Sequence, residues 1–252
     1  MTRPKVALFA TCLVDIFRPR IGFAAAKLLE TAGCEVVVPV QSCCGQPAYN
    51  AGDAKDAAAL ARQFIAAFEP YDFIVAPSAS CAGMVKAHYP KLLATDSAWG
   101  PRAAALAAKT HELFSFLVNV RGLKRVDVAW ARTAVYHDSC SSLREMGVVQ
   151  EPRTLLSSVR GLTLHDIAES ESCCGFGGFF SVKYPEISVR MADDKIAHAI
   201  SGGADTIIGG DLGCLLHLSG RLSRRGEKVR VCHAAEILAG MGDASAIGED
   251  EP

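Results

Sequence analysis

Eight of the ten cysteines in this 252-residue chain form two copies of one pattern: Cys12, Cys43-Cys44-Gly45 and Cys81, then Cys140, Cys173-Cys174-Gly175 and Cys214. The intervals nearly match: 30 residues separate Cys12 from the first pair and 32 separate Cys140 from the second, followed by 36 and 39 to the closing cysteine. Thiolates in sets of four bind soft metals, and two chemistries compete for such a set. An iron–sulfur cluster of the [4Fe–4S] type, one or two per chain, takes four cysteine sulfurs and suits an adjacent pair joined by singletons from separate elements. Zinc is the alternative, held by four cysteines or by three with His137 or His217, although zinc sites usually draw thiolates from short C-x2-C knuckles. Either way the candidate ligands are Cys12, Cys43, Cys44, Cys81, Cys140, Cys173, Cys174 and Cys214. Cys34 and Cys232 lie outside the repeat and read as ordinary buried cysteines.

The elements that must position these thiols repeat as well. Residues 5–12 (KVALFATC) face residues 133–140 (TAVYHDSC), and residues 71–81 face residues 204–214. Each is an apolar run, a small-residue loop and a cysteine, the pattern of a strand buried on both faces. A further strand-like run precedes each cysteine pair, at 35–40 and 161–167, and helical patterns cover 22–32, 53–68 and 185–200, with Gly33 and Gly202 as stops. The expected fold is α/β, two pseudo-symmetric repeats of strand–helix units with mainly parallel sheets. Its domains are 1–125 and 126–242, and the small, acidic tail 243–252 reads as disordered. Residues 95–131 read as a connection that packs across the halves, with a helix around 112–120, and 228–232 is one more strand-like run. In a parallel sheet, cysteines placed just past the carboxyl ends of the strands reach one edge, where such folds bind ligands. Gly45 and Gly175 let the backbone turn sharply beside the sulfurs.

Composition narrows the function further. Lys and Arg number 26 against 27 Asp and Glu, so no basic face for nucleic acid is implied. No run approaches the roughly 20 apolar residues of a membrane span, and the amino-terminal apolar run is too short for a secretory signal. A cytoplasmic chain is therefore expected, with its thiols reduced rather than paired as disulfides. The phosphate-binding G-x-G-x-x-G and P-loop patterns are missing, as are the G-x-S-x-G elbow and H-E-x-x-H. No catalytic residue is assigned. His137 and His217 read as hydrogen-bond donors to cluster sulfur, or His217 as a ligand, with a satisfied loop or helix histidine the plainer alternative. Asp138 and Arg144 read as a salt bridge orienting the Cys140 loop.

The segment SCCGFGGFFSVKYPEIS (172–188), together with YHDSC (136–140) and GCLLH (213–217), resembles the cysteine-rich family that includes the cluster-binding subunit of heterodisulfide reductase and the glycolate oxidase iron–sulfur subunit. The similarity runs from about residue 5 to residue 239 and is strongest to the lactate utilisation A branch. It implies an iron–sulfur electron-transfer subunit of a multi-subunit system oxidising L-lactate to pyruvate, a subunit of an oxidoreductase rather than a complete enzyme. The implied partners are a ferredoxin-type iron–sulfur subunit and a third subunit. In the family's fullest pattern each repeat ends in Cys-x-x-Cys, giving five cysteines to a noncubane cluster. Here Met84 and His217 stand at the last position, which leaves four cysteines per half. Ser141 stands where related sequences often place His. A thiol–disulfide reductase subunit and a zinc-stabilised assembly scaffold remain the other readings.

Overall fold

The apolar runs form strands because both of their faces are buried. The computed structural model describes residues 3–249. In the first half β1 (Lys5–Leu8), β2 (Glu35–Val37), β3 (Phe73–Ala76) and β4 (Thr110–Glu112) form a sheet in the order β2-β1-β3-β4. In the second, β5 (Ala129–His137), β6 (Arg160–His165), β7 (Thr206–Gly209) and β8 (Arg230–His233) form the order β6-β5-β7-β8. Every pairing is parallel. The two sheets thus repeat one topology, and the α/β reading with two strand–helix repeats holds.

Side chains alternate across each strand with a period of two, and each set enters a different core. Val6, Leu8 and Val75 point into one shared by both halves, where Trp130, Ala134, Tyr136 and Ile208 of the other sheet join them. Helices Pro19–Thr31, Gln150–Leu156 and Ala234–Leu238 also contribute to this shared core. The alternate residues Ala7, Phe9, Ile74 and Ala76 face a core built mainly by the first half, and Val135, Ile207 and Val231 face a matching one in the second, which Val14 and Ile21 of the first half also enter. Helix Ala54–Phe68 covers the first of these cores. Asp53 caps it, its Oδ1 accepting from the Asp56 N–H at 3.0 Å. Its buried residues Ala57, Ala61, Phe64, Ile65 and Phe68 follow the helical period. Helix Pro185–Ser201 takes the corresponding place over the second core, with Ala192, Ile196 and Ala199 buried.

Two sequence expectations need revision. Residues 95–131 are more than a connection: helix Gly100–Ala108 leads into β4, the fourth strand of the first sheet, and a short helix with a π-helical turn, Phe116–Val120, follows. Three residues of strand, Thr110–Glu112, carry too little periodicity to show in sequence. Residues 243–249, expected as part of a disordered tail, pack instead: Ala246 and Ile247 are buried and the Ile247 N–H donates to the Val231 carbonyl at 2.8 Å. Residues 250–252 of that stretch lie outside the described residues. Among the described residues no helix is long and apolar enough to cross a membrane.

The halves are also tied by polar contacts. Arg18 Nε lies 3.1 Å from both carboxylate oxygens of Glu236, with both side chains buried. Lys27 donates to the Ala239 carbonyl at 2.8 Å. His233 is fully buried, its Nε2 3.1 Å from the Pro77 carbonyl while its Nδ1 accepts from the Ala235 N–H.

Candidate functional site

Each central strand delivers a cysteine to the same edge of its sheet. Cys12 follows β1 and opens the helical turn Cys12–Phe17, while Cys81 follows β3 within the turn Ala79–Gly83. Strands β1 and β3 are hydrogen-bonded neighbours, and the strand order reverses at β1, the point at which parallel sheets open a crevice. Cys43 and Cys44 arrive from the loop after β2, on the other side of β1. In the second half Cys140 follows β5, Cys214 lies in the first turn of helix Leu212–Arg225 after β7, and Cys173-Cys174 follow β6.

The structure brings each predicted set of four together. In the first half the Sγ atoms of Cys44 and Cys81 are 3.6 Å apart, and the Gly45 N–H donates to Cys43 Sγ at 3.4 Å. In the second the Gly175 N–H donates to Cys173 Sγ at 3.3 Å and the Phe176 N–H to Cys174 Sγ at 3.5 Å. Thiol donation from Cys12, then from Cys44, pulls Cys43 down to about 2, and Cys140 followed by Cys174 does the same to Cys173. Cys12 and Cys140 are raised by the same contacts, with burial adding to them. Within each set the first member of the pair is thus the most acidic thiol. Gly45 and Gly175 have φ of 82° and 85°, and a Cβ at Gly175 would run into the carbonyl oxygen of Ser188.

The two sites open on clefts that share a wall. The first is lined by its four cysteines and by Phe176, Gly178, Asp211 and Gly213 of the other half. The second is lined by Cys140, Cys173, Cys174 and Cys214 together with Gln46, Asn50 and Ser80 of the first half, and Phe176, Gly178 and Asp211 border both. Asp211 fastens this wall, its Oδ2 accepting from the Ser80 N–H at 2.9 Å and the Ser78 hydroxyl at 3.2 Å.

The histidines divide. A ring nitrogen of His137 and the sulfurs of Cys174 and Cys214 all lie within 4.8 Å of one another. His137 is 1% exposed, and neither ring nitrogen has a hydrogen-bond partner among the described residues. Burial holds it down to about 3, the buried Lys195 lowering it further and Cys173 opposing. His217 turns elsewhere: its Nε2 lies 3.2 Å from the Ser188 hydroxyl, which donates to the Gly175 carbonyl at 2.8 Å. Met84 is fully buried, in the same first-half core as Cys44. Asp138 pairs with Arg153 rather than Arg144, through contacts of 2.8 and 2.6 Å, because Arg144 points to solvent. Cys34 and Cys232 are buried in the shared core, away from both sites. Lys195 and Asp211 escaped the sequence reading. Lys195 left one signal, a charge on the otherwise apolar stripe Ala192, Ile196, Ala199.

Four soft sulfur donors per half, converging at a strand edge with backbone N–H groups aimed at them, fit a bound metal or cluster. The orphaned nitrogens of His137 beside Cys174 and Cys214 fit a second site that takes up a further group. The cysteine-rich domain (CCG) family matches residues 6–86 and 134–219, the two cysteine-bearing repeats. The chain belongs to this family. Family relatives include lactate utilization protein A of Halalkalibacterium halodurans, 46% identical over 93% of this chain and 96% of that protein. The protein of the same name from Geobacillus kaustophilus is 47% identical over 93% of this chain and 98% of its own. A hypothetical protein from Helicobacter pylori has a solved structure with a TM-score of 0.66 at 13% identity, covering 100% of this chain and 50% of that one. At that identity the likeness concerns fold alone.

Proposed function

We propose that each four-cysteine site holds a [4Fe–4S] cluster and that the chain is an electron-transferring subunit of a multi-subunit system oxidising L-lactate to pyruvate. The observation that carries this reading is the pair of equivalent four-thiol sites opening on a common wall. The names of the relatives support the substrate. Cys12, Cys43, Cys44 and Cys81 are the ligands of the first site, and Cys140, Cys173, Cys174 and Cys214 those of the second. A cluster at such a site supplies one-electron redox chemistry. Oxidation of lactate to pyruvate releases two electrons and two protons, so two sites accommodate the pair whereas one would need a partner to split it. The reading places the chain in the cytosol beside a ferredoxin-type iron–sulfur subunit and a third subunit.

A zinc-stabilised scaffold is the second reading, favoured by the approach of His137 to Cys174 and Cys214. Metal and acid-labile sulfide analysis with EPR, on protein purified without oxygen, separates the two. The expected result is about eight iron and about eight sulfide per chain. About four of each would restrict the cluster to one half, and stoichiometric zinc without sulfide would overturn the electron-transfer reading.

A further inference from the structure

The two sites are built alike in sulfur and differently in what surrounds it. The register that pairs Val6 with Phe73 and Ala134 with Thr206 sets Phe9 and His137 at equivalent positions. Phe9 is buried in the same core as Cys44, whereas His137 lies against Cys174 and Cys214. A second exchange accompanies the first. Gly45 sits against Ala57 and Leu60 as Gly175 sits against Ser188 and Met191, an alignment that sets Phe64 opposite Lys195. In the first half Phe9 and Phe64 pack edge-to-face with ring centroids 4.8 Å apart. In the second the aromatic pair is replaced by an imidazole and an ammonium, both 1% exposed. Lys195 Nζ donates to the Ser170 carbonyl at 2.6 Å, and neither nitrogen of His137 has a partner among the described residues.

We propose that the clusters are inequivalent: His137 donates an N–H to sulfur of the second-half cluster, and with the Lys195 ammonium it raises that cluster's reduction potential above that of the first. Hydrogen bonds to sulfur and nearby positive charge both stabilise the reduced, more negative form, and the apolar pair Phe9–Phe64 supplies neither. One electron then passes from the reduced first-half cluster to the oxidised second-half cluster, with no proton transferred. The second half is where an electron comes to rest before leaving the subunit. This rests on the iron–sulfur reading above.

EPR-monitored redox titration of the full chain tests it. Two midpoints are expected, with the upper one lost when Cys173 and Cys174 are both replaced by alanine. His137→Phe and Lys195→Met each lower the upper midpoint at unchanged iron content and leave the lower one in place. His137→Gln, which keeps a side-chain N–H, retains most of the separation, and Phe9→His raises the lower midpoint, so the outcome does not hang on one variant folding. Coincident midpoints in the iron-loaded wild type, or an upper midpoint that survives loss of the second-half cysteines, overturn the inference while leaving the electron-transfer function standing. Loss of second-half iron in both His137→Phe and His137→Gln would make His137 a ligand and overturn the donor role. A chain without iron or sulfide would sink the underlying reading itself.

Discussion

Gly175 shows how closely single atoms constrain the sites. Its φ of 85° disfavours any side chain, and an added Cβ would collide with the Ser188 backbone oxygen, which cannot swing aside. Gly45 has nearly the same φ, but the first atom met there is Leu60 Cβ at 3.3 Å, which can give. Gly175→Ala is therefore expected to destabilise the chain by about 1–3 kcal/mol, and by more than Gly45→Ala does. Urea unfolding of the two variants side by side checks the order. The thiols differ just as sharply. Because contacts with neighbouring thiols pull Cys43 and Cys173 down and push Cys12 and Cys140 up, brief alkylation of metal-free protein near pH 6 should label the first two before the others. Peptide mapping by mass spectrometry reads the sequence of labelling, and equal labelling of all four would contradict the network.

At the scale of elements, the loop after β5 depends on a partner that sequence proximity did not reveal. Asp138 is 2% exposed and two residues before Cys140, and the guanidinium that meets it comes from Arg153 on helix Gln150–Leu156. Asp138 holds Arg153 above its usual range, with burial opposing. Arg153→Ala would leave a carboxylate uncompensated in the interior. Since the Arg153 side chain is itself 24% exposed, water offsets part of the cost, and a loss of about 2 kcal/mol is expected. Arg144→Ala should change stability by less than about 0.5 kcal/mol. Chemical denaturation of both variants decides which arginine orients the loop. Arg144 stands closer to Asp138 in sequence, but only the packing of the helix against the strand end determines which side chain arrives.

The whole molecule places a carboxyl where neither half alone would. Glu112 ends β4, is 1% exposed and accepts from the Ser115 N–H at 2.9 Å. Burial pushes it up to about 8, with Glu151 and Asp211 adding and the backbone N–H groups of Ser115 and Phe114 opposing. A carboxyl whose folded-state pKa is raised holds its proton longer in the folded chain. Its contribution to stability is full below about 4.5 and is lost as pH rises toward about 8. Glu112→Gln keeps the acceptor and removes the ionisation, so it should stabilise by about 1–3 kcal/mol at pH 8 and change little at pH 4.5. Urea unfolding midpoints of variant and wild type across that range provide the check, and a difference independent of pH would refute the buried-acid account. The shared core and the Arg18–Glu236 pair join the halves.

Sequence alone determined the eight thiols, their grouping into two sets of four and the parallel strands that carry them. Those features are local and periodic: a strand buried on both faces must be continuously apolar, and a ligand at its tip must follow that run directly. It also placed helices over 53–68 and 185–200, where the structure has Ala54–Phe68 and Pro185–Ser201. Tertiary structure decided the rest. The strand β4 is too short to print a period, and the tail through 249 is held by partners far back in the chain, Val231 and Arg18 among them. Which histidine meets sulfur was equally a matter of direction: His137 and His217 are each three residues from a cysteine, yet a strand's last side chain points into the site while a helix residue one turn on points to Ser188. The common wall at Asp211 exists only once two repeats separated by more than 100 residues fold against each other, whereas the exchange of Phe9 for His137 is already present in the alignment of 5–12 on 133–140 and needed the fold only to bring Phe64 and Lys195 beside it.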